Sequence, residues 1–497
     1  MKDDQLNLTY SADELGRVVE GYALDVAGRP TAVTNILGQT LQVTYALLDM
    51  PQQIHRFDGS TVNYTYDAAW RPATIQYPGD TVSLTCSAGG LLQTISDGSG
   101  TITNKYDLLL RWAGQEGPHP WDEVRVVNGA GGLVEWMTNV GGVVSYSYDQ
   151  GSRVTNITAQ SGGTFGLSYN PTNGLISGVS CSAINAAYTF DPLDRLADIS
   201  WKDASGNVVR GFDYRYNSVG LITQKVTTAN GQLTTNIYGY DNLDRLISET
   251  SAGSATSVAN YAYDLAGNRI QMVDNGQTIN YSVGIGNRLS SWGTNGENTV
   301  SYNTAGCVTQ ICVSGSSTKA LTWDSRYRMT SVFTNGGVAE SYGYDAFDRR
   351  MSISDGITTN FLIYAGVHVI VEVGTSGSLV RSYTYGPGID NILSMTVYGG
   401  TTQTYYYVKD HLGSVQAIVD NTGSIVESYQ YDAWGNVLGV FDSFGIQHQE
   451  SSIQNRFLWQ GREYSWKAGL YYFRARWYDP GTGRWLSNDP IGVLGGL

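Results

Sequence analysis

The chain has 497 residues; glycine fills 60 of them, about 12% against a usual ~7%, while proline fills only 11. Charged residues make up 15% and aromatics 12%, with 35 tyrosines, a balance that excludes disorder and lacks the proline content of collagen. The net charge of −14 argues against a nucleic-acid binder that tracks phosphates. No apolar run is long enough to suggest a membrane span. Four cysteines (Cys86, Cys181, Cys307, Cys312) are too few for a disulfide framework, and lone thiols are expected. The five histidines lie far apart and no CxxC or HExxH occurs, so no metal or other cofactor is expected.

The opening Met-Lys-Asp-Asp-Gln has no hydrophobic signal core and leads straight into repeat-like sequence, so the natural protein is expected to begin upstream. From there one phrase keeps returning: Tyr64-Thr-Tyr66-Asp67, Tyr146-Ser-Tyr148-Asp149, Tyr188-Thr-Phe190-Asp191, Tyr238-Gly-Tyr240-Asp241, Tyr261-Ala-Tyr263-Asp264 and Tyr342-Gly-Tyr344-Asp345. Degenerate copies put Asp25, Ser87, Asp107, Asn128, Asn170, Asn217, Gly284, Asn303 and Asp324 in the aspartate slot. From Ser87 the slots fall at positions 107, 128, 149, 170 and 191, an almost constant step.

Within a unit, period-two aromatic and β-branched residues flank an Asp/Asn-x-x-Gly corner, which predicts strand, turn, strand. The aspartate caps turn amides and glycine supplies positive φ, so these tyrosines and aspartates are scaffold rather than repeated catalytic groups. Sixteen or so slots predict roughly thirty strands, a ribbon on the order of 140 Å long at ~4.8 Å per strand. Open sheets of that size curl. Wrapped once, the ribbon makes a ring about 45 Å across, too wide for its own side chains to fill. A straight, filled solenoid is the alternative on these grounds.

Further along, Tyr405-Tyr-Tyr-Val-Lys-Asp410-His411-Leu-Gly413-Ser414 and Tyr429-Gln-Tyr431-Asp432-Ala-Trp434-Gly435-Asn436 are followed by Gly469-Leu-Tyr-Tyr472-Phe-Arg474-Ala-Arg476-Trp-Tyr478-Asp479-Pro480 and Gly483-Arg484-Trp-Leu-Ser487-Asn-Asp489-Pro490-Ile-Gly492. His411 reads as a turn residue despite its neighbour Asp410. Together with the Tyr-x-Tyr-Asp repeats, these segments resemble the RHS/YD-repeat family of bacterial proteins, including its RHS repeat-associated core. The resemblance implies an all-β fold: an antiparallel YD-repeat ribbon coiled into a hollow, cocoon-like shell and closed by a C-terminal core domain. It places the repeats in residues 1–360 and the core domain in residues 361–497, ending before the second DPxG element of the family.

The same resemblance implies a shell that sequesters a toxin cargo C-terminal to the core, with aspartyl self-cleavage in the complete parent. On it Asp489 is the leading catalytic candidate, Asp479 a second acid, and Arg484 a residue that orients or pairs with a carboxylate. One acid of the pair is missing without the second DPxG, so the chain by itself is not expected to be an active enzyme. The implied partners are the cargo and a secretion or toxin-complex component on the N-terminal side. The implied localisation is cytoplasmic before export, then secreted or delivered. The alternative function is an extracellular adhesion or carbohydrate-binding protein, whose exposed tyrosines would suit sugar faces.

Overall fold

The computed structural model describes residues 10–12, 18–253, 256–316 and 318–490. Residues 1–9 lie outside the described residues, as do Ile491 and Gly492, the last two positions of the Asp489-Pro490-Ile-Gly492 motif. Among the described residues, forty-two antiparallel strands form one sheet, each paired with its neighbour in sequence from Tyr10–Ala12 to Gln447–His448, and a separate four-stranded sheet lies between Glu463 and Trp485. The ribbon is not closed into a barrel.

The Asp-x-x-x-Arg corners are built alike. At Asp149, one carboxylate oxygen accepts the amides of Gly151 and Arg153 at 2.9 Å, and the other accepts Arg153 Nε at 2.7 Å. The register slips by one residue between Ser147 and Tyr148, a bulge that sharpens the turn. The fourth corner position is left-handed whether or not it is glycine: Gly28, Gly90 and Gly220 share it with Trp70, Leu110, Ser152 and Tyr327. Each arginine then bridges to the next unit. Arg245 donates to Asp264 O at 2.9 Å and stacks over Tyr263 at 4.8 Å, while the Tyr263 hydroxyl donates back to Leu246 O at 2.7 Å. The Asp-x-x-x-Arg spacing is therefore a connector between units as well as a turn.

Strand counting from the motif falls short because it passes over the corner at Ala46 and those at Gly386, Asp410 and Asp432. Ala46 and Gly386 make corners with no recognisable motif, and Gly129, not Asn128, fills the slot after Asp107. The Gly129 amide donates to Leu133 O and its carbonyl accepts the amide of Gly132.

The two faces of the ribbon differ. Ladders such as Ile157–Phe165, Leu167–Val179–Ala186 and Tyr188–Ile199–Phe212 line one face, and Thr65–Thr74 and Thr85–Thr94–Thr103 line the other. The hydroxyl face is exposed, and the apolar face is the one that later strands cover.

Antiparallel turns alternate between two rims, corners on one and short glycine hairpins on the other. The hairpin rim of the first coil meets the corner rim of the second. Gln39 Nε2 donates to Thr304 O at 2.8 Å, Arg56 Nη1 to Ser325 O at 2.8 Å, and Arg326 pairs with Asp80 at 2.7 Å and Asp97 at 2.9 Å. One circuit is thus about 25 strands, a contour of about 120 Å and a ring about 38 Å across.

Strands from Thr359 onward turn inward. Ile363, Val371 and Val373 pack on Val124, Val126 and Met137, and Tyr406, Val408, Ala417 and Val419 pack on Ile157, Phe165, Ile199 and Phe212. Full burial of side chains such as Phe212 contributes about 1.5–3 kcal/mol each. Their opposite face, with Tyr407, Ile418 and Tyr429, receives Phe457, Leu458, Tyr471 and Tyr478 of the C-terminal segment. From residue 18 to 106, by contrast, Val62, Val82, Ile95 and Ile102 are the only buried hydrophobics among the described residues. There the ribbon is a single-layer wall around open space. All four cysteines are free.

Candidate functional site

The C-terminal segment is seated by buried acids of the inner strands. Glu427 accepts the Ser451 hydroxyl at 2.7 Å, the Ser452 amide at 2.6 Å and the Tyr429 hydroxyl at 2.5 Å. Glu372 is fully buried and binds Arg381 at 3.0 Å, Arg456 at 2.7 Å and the Tyr383 hydroxyl. Arg456 also pairs with Glu463 at 3.2 Å, which binds Arg350 at 2.5 Å. Burial pushes the Glu372 carboxyl up, but Arg456 and Arg381 outweigh it and hold the group below the usual range. This charged seat was not legible in the sequence, because its members are scattered from residue 350 to 463 and none lies in a repeated motif.

The two tyrosine-rich motifs act as latches between layers. Asp410 accepts the amides of Leu412 and Ser414 with one oxygen and binds Lys225 of the outer wall with the other at 2.9 Å. The His411 amide donates to the Tyr214 hydroxyl at 3.1 Å, and its ring lies 4.6 Å from that of Tyr214. Burial lowers the His411 pKa to about 4 against the pull of Asp410, so the ring is neutral at pH 7. It is a packed turn residue, in keeping with the sequence reading. At the second motif Asp432 accepts the amides of Trp434 and Asn436, and the Asn436 side chain donates to Pro480 O at 3.0 Å. Trp434 lies against Arg269 of the wall at 4.3 Å. The Tyr471 and Tyr478 hydroxyls donate to Gly435 O and Trp434 O.

The three sequence candidates occupy the last hairpin and the strand leaving it. Asp479 is buried at a tight turn, where one oxygen accepts the Gly481 amide at 3.2 Å and the other the Thr482 hydroxyl at 2.7 Å. Arg484 sits opposite Asp479 in the sheet register, yet its guanidinium points to the wall. It donates to Asn287 O at 2.7 Å and to Asn268 Oδ1 at 3.1 Å. At this corner the usual repeat arginine is replaced by Asn268, and Arg484 spans the gap from the plug side. Burial lowers its pKa.

Asp489 is held separately, by Arg476 Nη2 at 2.8 Å, with that guanidinium 4.1 Å over Trp485. The strand between them is fixed by Leu486, whose amide donates to Trp477 O and whose carbonyl accepts the Val308 amide. Asn488 donates to Ala305 O at 3.0 Å. The geometry therefore brings Asp479 and Arg484 to one hairpin end and gives Asp489 its own cation, Arg476. The sequence reading had not singled out Arg476; its place in the Arg-x-Arg of the hairpin was the available signal.

Ribbon and seated C-terminal segment define a coiled repeat shell stoppered from within by its own chain. The sequence profile of the Teneurin YD-shell matches residues 204–492, more than half of the chain. The protein belongs to that family. A crystal structure of TcdB2-TccC3 superposes on the whole of this chain, and on 29% of its own, with a TM-score of 0.83 at 18% identity. The Tc holotoxin pore of Photorhabdus luminescens gives 0.83 at 17%, again over the whole of this chain and over 28% of its own. At those identities the likeness is one of fold.

Among curated relatives, a tRNA3(Ser)-specific nuclease WapA of Bacillus spizizenii is 33% identical over 259 residues, 50% of this chain and 10% of the relative. The double-stranded DNA deaminase toxin A of Burkholderia cenocepacia is 28% identical over 330 residues, 56% of this chain and 22% of the relative. The toxin subunit YenC1 of Yersinia entomophaga is 25% identical over 356 residues, 62% and 34% respectively. The chain thus spans about a tenth of the length of the first of these. Among the described residues, no helix is long and apolar enough to cross a membrane.

Proposed function

We propose that this chain is the wall and plug of a bacterial shell that encloses a toxin cargo attached C-terminal to it, for export from the cytoplasm. In this reading the repeats run through residue 360 and the core domain from residue 361. A secretion or toxin-complex component engages the N-terminal side. The observation that carries the reading is the course of residues 451–490, which are seated on the inner strands by buried charges and directed along the wall toward Asp489. Relatives named for a tRNA nuclease and a DNA deaminase share the ribbon while differing in their named activities. That pattern suits a common container with exchangeable contents.

The proposal includes self-cleavage in the complete protein. Two carboxyls sharing a proton can activate water against a peptide bond. Asp489 is assigned as one of the pair, held in place by Arg476. Asp479 has both oxygens committed to its turn, so the second acid is assigned beyond Gly492. Arg484 positions the strand that carries Asp489. Intact mass of a product carrying the parental sequence beyond Leu497 tests this. Two fragments for the wild type and one chain for Asp489→Asn are expected; a single chain for both overturns the protease assignment.

A further inference from the structure

Buried cations between the layers find partners: Lys225 binds Asp410 at 2.9 Å, Arg350 binds Glu463, and Arg269 donates to Thr482 O at 2.9 Å. Arg210 does not. It is 9% exposed, yet among the described residues it makes no hydrogen bond and no ion pair, and its Nη1 is buried without an acceptor. Register places it on the inner face. Arg210 lies opposite Trp201 and Ala229, two residues before Phe212, which lies opposite Ile199 and Thr227. The ladder slips between Trp201 and Lys202, and this bulge turns Val209 inward as well, into the apolar cluster that holds Trp201 and Phe212. A guanidinium keeps its proton in a protein, so burial lowers the Arg210 pKa without removing the charge. A buried cation with no anion beside it is costly, and the indole N–H of Trp201 is already given to Lys409 O.

We propose that Arg210 anchors a carboxylate-binding site on the inner face of the wall. The planar fork receives two oxygens side by side. One negative charge balances one positive, whereas a phosphate dianion leaves a charge over in the same apolar surroundings. Thr227 lies on the diagonal from Arg210, with Thr234 opposite it on the next strand, so hydroxyls border the site on its open side. The carboxylate comes from a small free acid or from an acidic side chain of a polypeptide held inside the wall. The second source alone rests on the encapsulation reading.

Formate binding to the whole chain, read by saturation-transfer NMR on the formate proton at constant ionic strength, tests the site. A three-atom ligand reaches a Kd of about 1 mM at best, so a saturable signal in the millimolar range is expected for the wild type. Formate should also raise the wild-type urea midpoint. Arg210→Met should lose both responses while keeping the wild-type circular dichroism. Arg210→Lys, which keeps the charge without the fork, should bind at least threefold more weakly and guards against a misfolded methionine variant. Acetyl-glutamate methylamide and its glutamine analogue separate the sources. Displacement of formate by the glutamate compound alone supports a side-chain occupant, and displacement by neither supports a small free acid. A wild type with no saturable formate signal overturns the proposal, as does an Arg210→Met or Arg210→Lys variant that binds formate as the wild type does.

Discussion

Replacing Glu372 with glutamine keeps the shape of the plug seat and removes its charge. Glu372 is fully buried between Arg381 at 3.0 Å and Arg456 at 2.7 Å, and Arg456 shares Glu463 with Arg350. Without Glu372, Arg456 and Arg350 still share Glu463, and Arg381 is left with the side-chain oxygen of Gln454. Breaking a buried pair from one side costs about 3–5 kcal/mol, because the remaining charge is left uncompensated. Applied to local opening of the plug, about 3 kcal/mol is about a 150-fold change in the opening constant. Hydrogen exchange reads this directly at the strands Leu470–Phe473 and Arg476–Asp479. In Glu372→Gln their amides should exchange at least 100-fold faster, while first-coil strands such as Thr61–Tyr66 keep their protection. The acid side follows from the same group. Its folded pKa lies below the ordinary 4.5, so the stability it contributes is present above that value and is lost as pH falls through the lower one. The variant should lack that acid limb. Plug protection within threefold of wild type would refute the charged seat.

Three further outcomes follow from the connectors and latches. Tyr344→Phe deletes a buried hydroxyl that donates to Met329 O at 2.8 Å and should cost about 1 kcal/mol in urea unfolding, with no loss if the hydroxyl is idle. For His411, the unfolded chain takes up a proton near 6.5 and the folded chain only near 4. Wild-type stability should therefore fall as pH drops through that window, by at most about 3 kcal/mol, and His411→Phe should flatten the slope; parallel slopes contradict the buried neutral ring. Burial lowers the Lys409 pKa to about 7 from the ordinary 10.5, so the wild type should gain stability as pH rises from 7 toward 9. Lys409→Met should show no such gain in urea midpoints across that range.

What the sequence made legible was the unit: strand, aspartate corner, strand, returning at a nearly even spacing. It is legible because each corner is local, with every bond of the Asp149 cap falling within five residues. The corner at Ala46 leaves no trace in the sequence, and the strand number is low for that reason and because the repeat slots stop at Asp345, short of the corners at Gly386, Asp410 and Asp432. Curvature was also legible in scale. A ring about 45 Å across was expected, and the seam between Gln39 and Thr304 gives about 38 Å.

The interior was not legible, since it depends on which strands meet after a full circuit. Glu372 meets Arg456, Lys225 meets Asp410, and Asn268 meets Arg484 across 84 to 216 residues. No local pattern encodes those pairings. Arg484 shows the difference clearly. In sequence it is one arginine of a C-terminal motif; in the fold it fills the bridge that Asn268 leaves open.

The central claim is that this chain is a wall around space and not a filled body. Small-angle X-ray scattering extrapolated to zero concentration tests it most directly. A compact protein of 497 residues has a radius of gyration of about 23 Å. A coiled wall should exceed that value and give a pair-distance distribution skewed to distances near its diameter. A radius no larger than the compact value, with a symmetric distribution, would contradict the shell.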